Sequence, residues 1–464
     1  AKGESLKSVV QWRTFSEKTR EQIAFAVNAC EQLRATPEEV AAVLKGLNAE
    51  FIASAPAGDV LRDGVAVLPT GRNIYSLDPY RMPSNAAYRK GRAIAEDIIA
   101  RSTNVPETVA VPLWGLDNIK TRGEGIGIVL GLVGAVPVED ATGRIACFEL
   151  IPLAELGRPR VDVLVNLSGI FRDSFEHVVF LLDDMFKRAA NAEEESIEQN
   201  YIRRHSLKVL AEHGPSEDST SRLFSNPKGD FGSLVNERVS AGNWDDSGEL
   251  GETWKSRNAF AYGRNAKGKS QMRTLDALLS TTDEVIQQID SIEYGLTDIQ
   301  EYYANTGALL QSARTNSRRA KGSPVRATFV ESFGTGKRDL KDLDSVLRLE
   351  YRSKLLNPRW ARAMLKNGSG GAYEISQRMT ALIGWGGTTG FADDFVYEQS
   401  AQQYVVEDEF RDQLKLSNPE AYRNLLGRLL EANGRGLWSN PDPDILARIR
   451  SEYDALDAEI EGVA

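Results

Sequence analysis

The chain is poor in the residues that build covalent frameworks and preformed metal centres. Its 464 residues hold two cysteines, Cys30 and Cys147, far apart and outside any C-x-x-C spacing. That excludes a disulfide scaffold and a structural zinc site, and it reads as a reducing compartment. The three histidines, His177, His205 and His213, fall in no H-E-x-x-H or comparable spacing, so a catalytic zinc centre is not expected. No apolar run approaches the roughly 18 to 20 residues that span a bilayer, and no N-terminal signal pattern is present. Basic charge is outweighed: 56 Lys and Arg stand against 66 Asp and Glu, a net charge of -10. This argues against broad nucleic-acid binding and suits a protein that handles cations or meets a basic partner. Nucleotide motifs are missing too. Gly123, Gly125, Gly127, Gly131 and Gly134 in RGEGIGIVLGLVG do not form G-x-G-x-x-G, and ESFGTGKRD lacks the glycine required before Gly336 and has Arg338 after Lys337. No nucleotide site is expected in this chain. The glycines are read as close helix-strand packing, which leaves Arg122 and Glu124 as better candidates for a role.

What is present concentrates between Leu278 and Gly307, in LLSTTDEVIQQIDSIEYGLTDIQEYYANTG, where carboxylates and tyrosines crowd together. Leu278, Leu279, Val285, Ile286, Ile289 and Ile292 recur at three- and four-residue steps, which predicts an amphipathic helix ending near Gly295. On it Asp290 and Glu293 share one face. Thr297 and Gln300 read as a capping box that opens a second helix, with Asp298 and Glu301 in its first turn and Tyr302 and Tyr303 behind them. Asp298 on this reading is either an N-terminal dipole partner or part of a chemical site.

In chain order, residues 3–51 read as helical, with Thr36 and Pro37 as cap and first turn of a second run. Residues 61–84 read as an ordered loop, in which Arg72, Asn73, Tyr75 and Asp78 face a ligand or bond the loop's own backbone. From Thr108 to Phe175 the pattern turns α/β: TVAVPLWG, RIACFELIPL and VDVLVNLSG read as strands and GEGIGIVLGLVG as a helix. Ser168, Arg172 and Asp173 then sit at the carboxyl end of a strand, where open α/β sheets bind ligands. Arg172 either grips a carboxylate, or it and Asp173 pair with each other or cap the helix. His205, beside Arg203 and Arg204, is expected to be neutral and able to accept a proton, or else structural. Residues 316–322 are a basic loop, and the remainder is mostly helical, with Asn357-Pro358 and Asn418-Pro419 as helix starts and Gly368 and Gly434 as stops. The fold class expected is mixed α/β, organised as a helical segment (1–60), an α/β region (61–265) and a mostly helical C-terminal region (266–464). The first residue is Ala1, not Met, and a piece of a longer protein is expected.

Several long blocks carry a resemblance that periodicity does not supply. LWGLDNIKTRGEGIGIVLGLVGAVPVED, ELIPLAELGRPRVDVLVNLSGIFRDSF, YIRRH, GDFGSLVNERV, DSIEYGLTDIQEYYANTGAL, NPRWARAMLKNGSGGAYEISQRMTALIGWGG and LLEANGRGLW resemble the large H subunit of magnesium chelatase, a family that includes the large subunit of cobaltochelatase. The resemblance runs from about Leu61 to the C-terminus and is more similar to the bacteriochlorophyll-making bacterial branch. It implies the C-terminal part of a subunit that binds protoporphyrin IX and inserts Mg²⁺, with ATP hydrolysed by separate AAA+ I and D subunits. The implied partners include the upstream remainder of the H subunit, and the implied location is the bacterial cytoplasm or the plastid stroma.

Stripping a hard cation of water calls for oxygen ligands, releasing pyrrole protons calls for bases, and a flat macrocycle with two propionates calls for aromatic walls and arginines. On that chemistry Asp298, Glu301 and His205 are the expected catalytic groups, and Asp290 and Glu293 the expected metal ligands. Trp114 and Tyr302 are the expected walls, and Arg122 and Arg172 the expected propionate partners. Some family members carry histidine and aspartate where this chain has Glu301 and Ala304, so one possible ligand is missing here. The alternatives are a cobalt-inserting homologue acting on a corrin ring and a non-catalytic module that binds a tetrapyrrole or docks the partners.

Overall fold

The computed structural model describes residues 15–34, 37–58, 60–216, 218–290, 294–317, 324–332 and 338–462. It divides into two compact units, residues 1–78 with 333–337, and residues 79–332 with 338–464. The smaller unit holds the helices Glu17–Leu33 and Pro37–Leu47 and a parallel pair of two-residue strands, Ala55–Pro56 and Asn73–Ile74. Asn73 donates from Nδ2 to the carbonyls of Val67 (2.7 Å) and Pro56 (2.8 Å), so it braces its own loop.

The larger unit is mixed α/β and is built on an eight-stranded sheet. Its strands are β1 (Thr108–Leu113), β2 (Asp162–Leu167), β3 (Leu223–Ser225), β4 (Phe260–Ala261), β5 (Lys269–Ser270), β6 (Thr282–Ile289), β7 (Arg326–Glu331) and β8 (Asp339–Asp342). They lie in the order β8-β7-β6-β1-β2-β3-β4-β5. The five from β7 to β3 are parallel, and the outer ones run antiparallel. The sheet draws strands from both sides of residue 266. Every residue of β1 and β2 is buried, as a central parallel strand covered on both faces requires. From β1 the chain adds β2 and β3 on one side, then returns to place β6 and β7 on the other. The reversal between β1 and β6 is a topological switch point, and the crevice outside the carboxyl ends of such strands is where these sheets bind ligands.

Two local expectations give way and a third holds in part. The stretch expected to be helical to Gly295 is a helix only over Met272–Thr281 and then becomes β6. Seven of the eight residues of β6 are buried, so its apolar positions do not alternate, and a short run of that kind cannot be told from a helix by period. β-branched Val285, Ile286 and Ile289 favour the strand. Asp290 therefore follows a strand rather than lying on a helix, and Glu293 lies outside the described residues. The capping box is not formed either. Thr297 Oγ1 donates to Glu350 Oε2 (2.8 Å), Gln300 pairs with Gln377, and the helix begins at Gln300. Finally, the glycines of the helix Glu124–Val133 serve helix-helix contact beside the expected helix-strand packing: a Cβ at Gly127 would lie 2.8 Å from the carbonyl oxygen of Ala87, on the neighbouring helix Asn85–Ala100, and one at Gly125 would lie 3.0 Å from the Leu113 side chain of β1.

Candidate functional site

At the carboxyl ends of β1, β2 and β3 the larger unit encloses a cavity of about 370 Å³, within the range of small-molecule sites. Helix α1 (Gly115–Thr121) follows β1, and α2 (Gly169–Ser174) follows β2. Ser168 joins the two strand ends: its Oγ caps α2 by accepting from the Phe171 N–H (3.1 Å) and also accepts from the Gly115 N–H (3.0 Å). Opposite stand α3 (Val235–Ala241), which brings Asn236 and Glu237, and the preceding loop, which brings Phe231. The back wall is Ile299, Glu301, Tyr302 and Asn305. Gly169 lets the loop approach closely, since a Cβ there would lie 2.3 Å from the Phe231 ring and would have to displace it.

The back wall carries a π-helix, Tyr302–Gly307, a wide turn that recurs at functional sites. It sets the Tyr302 ring edge-on to Trp114, with centroids 5.8 Å apart and planes at 77°. Gln287 of β6 locks the pair, accepting at Oε1 from Trp114 Nε1 (3.0 Å) and from Thr306 Oγ1 (2.6 Å). Burial, then the nearby charges of Asp117 and Asp290, push the Tyr302 hydroxyl far above its ordinary range, so it stays protonated.

Glu301 is the carboxylate of this wall. Its Oε2 is buried and finds no hydrogen-bond partner among the described residues, and Oε1 lies 3.5 Å from Asn236 Nδ2. Burial raises its pKa, and the like charge of Glu237 raises it further. No lysine or arginine is among the described residues that line the cavity. A carboxyl group in such surroundings takes up a proton readily.

Of the residues singled out from the sequence, Trp114, Glu301 and Tyr302 meet in this cavity. Ser168, picked for its place at the end of a strand, lines it as well, whereas the described metal, propionate and remaining catalytic candidates lie elsewhere. Asp298 accepts from the Gly295 N–H (2.7 Å) and pairs with both Lys354 and Arg378, so its carboxylate is committed to the corner it occupies. Asp290, buried at the end of β6, faces Lys120 Nζ at 3.2 Å. Arg172 is buried, pairs with Asp173 (2.7 Å), donates to the carbonyls of Asn226 (2.9 Å) and Pro227 (3.0 Å), and lies against the Phe231 ring. It supports the cavity rim without lining it. Arg122 is exposed, ends α1 in a left-handed conformation and does not line the cavity.

His205 sits at the other end of the sheet, where β1 and β2 begin. Its Nδ1 is 2.9 Å from Asp162 Oδ2, and its Nε2 is 3.5 Å from Glu107 Oε2. Burial alone would lower its pKa, but the two carboxylates outweigh burial and raise it. The two arginines adjacent in sequence do not set this balance, because Arg204 turns to Glu107 (2.8 Å) and the ring turns to Asp162.

Sequence reasoning missed Phe231, Asn236 and Glu237. All three come from GDFGSLVNERV, a block that carried the resemblance without any residue in it being given a role. The signal was there in part, since Gly229 and Gly232 flank Phe231 with φ of 89° and 74°, a turn that presents the ring. Among the described residues no three His, Cys, Asp or Glu side chains converge as a group that could hold a metal ion, and no helix is long and apolar enough to cross a membrane.

The comparisons with known proteins agree with the resemblance. Residues 2–445 match the family model described as CobN/Magnesium Chelatase. The chain is 43% identical to the magnesium-chelatase H subunit of Chlorobaculum parvum, over 92% of this chain and 34% of that protein. With the magnesium-chelatase H subunit of Rhodobacter capsulatus the identity is 37%, over 94% and 36% of the two chains. A solved structure, the catalytic subunit of cobaltochelatase from Mycobacterium tuberculosis, superposes with a TM-score of 0.89 at 33% identity, covering 95% of this chain and 38% of that one. The chain thus spans about a third of the length of the curated relatives it matches. It belongs to the CobN/magnesium chelatase family.

Proposed function

We propose that this chain is the C-terminal, porphyrin-binding part of the magnesium-chelatase H subunit, which serves a ligase that forms nitrogen-metal bonds. In this reading Mg²⁺ and protoporphyrin IX are its substrates, and separate AAA+ I and D subunits hydrolyse the ATP. The setting is chlorophyll or bacteriochlorophyll biosynthesis, in the bacterial cytoplasm or the plastid stroma. The observation that carries the reading is the cavity at the switch point, which joins an aromatic pair to a buried carboxyl group with no cation among the described lining residues. Trp114 and Tyr302 offer flat apolar surface to a macrocycle edge. Glu301 takes a pyrrole proton as the ring nitrogen turns its lone pair to the metal. Asp290 and Glu293 are kept as proposed stations for the incoming ion, since Mg²⁺ is held by oxygen and gives up water reluctantly. Asp298, Arg172 and His205 hold the surrounding scaffold in shape, whereas exposed Arg122 is kept as a propionate partner.

The experiment is chelation by the full-length protein carrying Glu301→Gln, assayed with I and D subunits and ATP, beside porphyrin fluorescence quenching. The expected result is a fall in turnover of about 10²-fold or more with quenching retained; unchanged turnover would refute the role of Glu301. A second reading, cobalt insertion into a corrin ring, draws on the likeness to the cobaltochelatase structure. Turnover with Co²⁺ and a corrin, and none with Mg²⁺ and protoporphyrin, would select it. Partner binding without any quenching would instead mark a docking module.

A further inference from the structure

Metal insertion into a free-base tetrapyrrole releases two protons, while Glu301 can receive only one at a time. It must therefore be emptied between the first proton and the second. Glu237 stands where an outlet is needed. It lines the same cavity from α3, yet its side chain is exposed to solvent, whereas Glu301 is largely covered. Asn236, next to Glu237 on α3, reaches Glu301 at 3.5 Å and ties the two elements together. The remaining charged groups around Glu301 are accounted for. Asp117 lines the cavity from α1. Arg238 of α3 is held by Glu249 (2.6 Å) and Thr253 (2.7 Å), and Asp230 by Arg257 (2.8 Å). Arg378 is held by Asp298 and Glu374, and Arg428 by Glu431 and the Val239 and Ser240 carbonyls. Among the described residues no cation is left over to hold Glu301 ionised, and the charged groups facing it across the cavity are anionic.

We infer that Glu237 is a positioning residue that passes protons from Glu301 to solvent, so that one buried carboxylate serves both deprotonations. This rests on the proposed reading of Glu301. In each step a pyrrole N–H bond breaks and a Glu301 O–H bond forms, the electron pair staying on nitrogen for the metal. The proton then moves to the Glu237 carboxylate, directly or through one water, and from there to bulk solvent. Glu301 returns as a carboxylate, and its negative charge is disfavoured by the ionised Glu237 until the next proton arrives. The Glu237 charge thus favours the return of a proton to Glu301.

The test compares Glu237→Gln, Glu237→Asp and Glu301→Gln in the full-length protein, with chelatase kinetics across pH, porphyrin quenching, and difference infrared spectroscopy of the protonated carboxyl band, assigned by its loss in Glu301→Gln. For Glu237→Gln the expected result is a kcat fall of at least tenfold at unchanged KM, substantially restored in Glu237→Asp. The Glu301 carboxyl band and the acid limb of the rate profile should both move to lower pH. Quenching equal to wild type shows that the fold and pocket are intact. A Glu237→Gln enzyme with wild-type kcat and an unmoved acid limb would overturn the relay while leaving Glu301 in place. Full activity in Glu301→Gln would instead remove the underlying reading.

Discussion

Two carboxylates three residues apart, Asp298 and Glu301, are predicted to respond in opposite ways to loss of charge. The Asp298 carboxylate accepts from the Gly295 N–H at 2.7 Å and pairs with Lys354 and Arg378, whose side chains are 18% and 9% exposed. In Asp298→Asn one oxygen remains for the backbone, but two charge-assisted contacts go, at about 1.5 kcal/mol each. The sum, about 3 kcal/mol, agrees with the lower end of what breaking a buried ion pair costs. Glu301 has the reverse balance. Its raised pKa means that the folded state disfavours its charge, a cost absent at pH below the ordinary carboxylate range and in full force above the raised value. Glu301→Gln is therefore expected to stabilise the fold at neutral pH, by about 1 kcal/mol. Urea titration at pH 7 and at pH 5 measures both, followed by tryptophan emission. Trp385, whose Nε1 donates to the Leu296 carbonyl (3.0 Å), and Trp360, under the Arg378 guanidinium at 4.9 Å, report on this corner. A stability of Asp298→Asn within about 0.5 kcal/mol of wild type, or a Glu301→Gln variant less stable than wild type at pH 7, would refute the division of labour between them.

Gly169→Ala places a Cβ 2.3 Å from the Phe231 ring. Because that ring is 59% exposed it can swing outward, so stability should change by less than about 1 kcal/mol while porphyrin affinity falls roughly tenfold, about 1.4 kcal/mol; quenching titrations decide this. The His205 network makes the stability of the larger unit depend on pH in two ranges. The histidine's raised pKa gives a contribution complete below about 6.5 and lost as pH rises through the raised value. Glu107, lowered to about 2 mainly by the His205 ring 3.5 Å away, contributes above the ordinary carboxylate range and loses that contribution as pH falls toward about 2. His205→Gln should flatten the alkaline fall and lower stability by about 2 kcal/mol at pH 6, since buried Asp162 keeps Arg222 (2.7 Å) but loses its second partner. Urea midpoints from pH 4 to 9 check both signs.

The sheet was legible where strands are buried on both faces and bounded by turn residues, as in TVAVPL and DVLVNL. It was illegible at β6, because Glu284 interrupts the apolar run. That carboxylate is fully buried and becomes acceptable through Arg101 and Arg326, each at 2.8 Å, together with the Thr328 hydroxyl, partners no local pattern announces. The same physics governed the site. Trp114 and Tyr302 could be picked by residue type, and Glu301 by its crowded neighbourhood. Whether a carboxylate is consumed by cations, as at Asp298, or left without them, as at Glu301, depends on Lys354 and Arg378, more than fifty residues downstream. Arg172 read ambiguously for a related reason: the carbonyls that hold it belong to Asn226 and Pro227, on a loop beyond β3.

The central claim is that a tetrapyrrole seats in the cavity beyond β1, β2 and β3. The most direct test is fluorescence quenching on titrating a soluble protoporphyrin analogue into full-length wild type and into Asn236→Trp, a substitution that fills the cavity mouth from α3. The account predicts saturable quenching by wild type and at least a tenfold weaker affinity in Asn236→Trp, with the urea midpoint unchanged. Equal affinity in the two proteins would place the macrocycle elsewhere and contradict it.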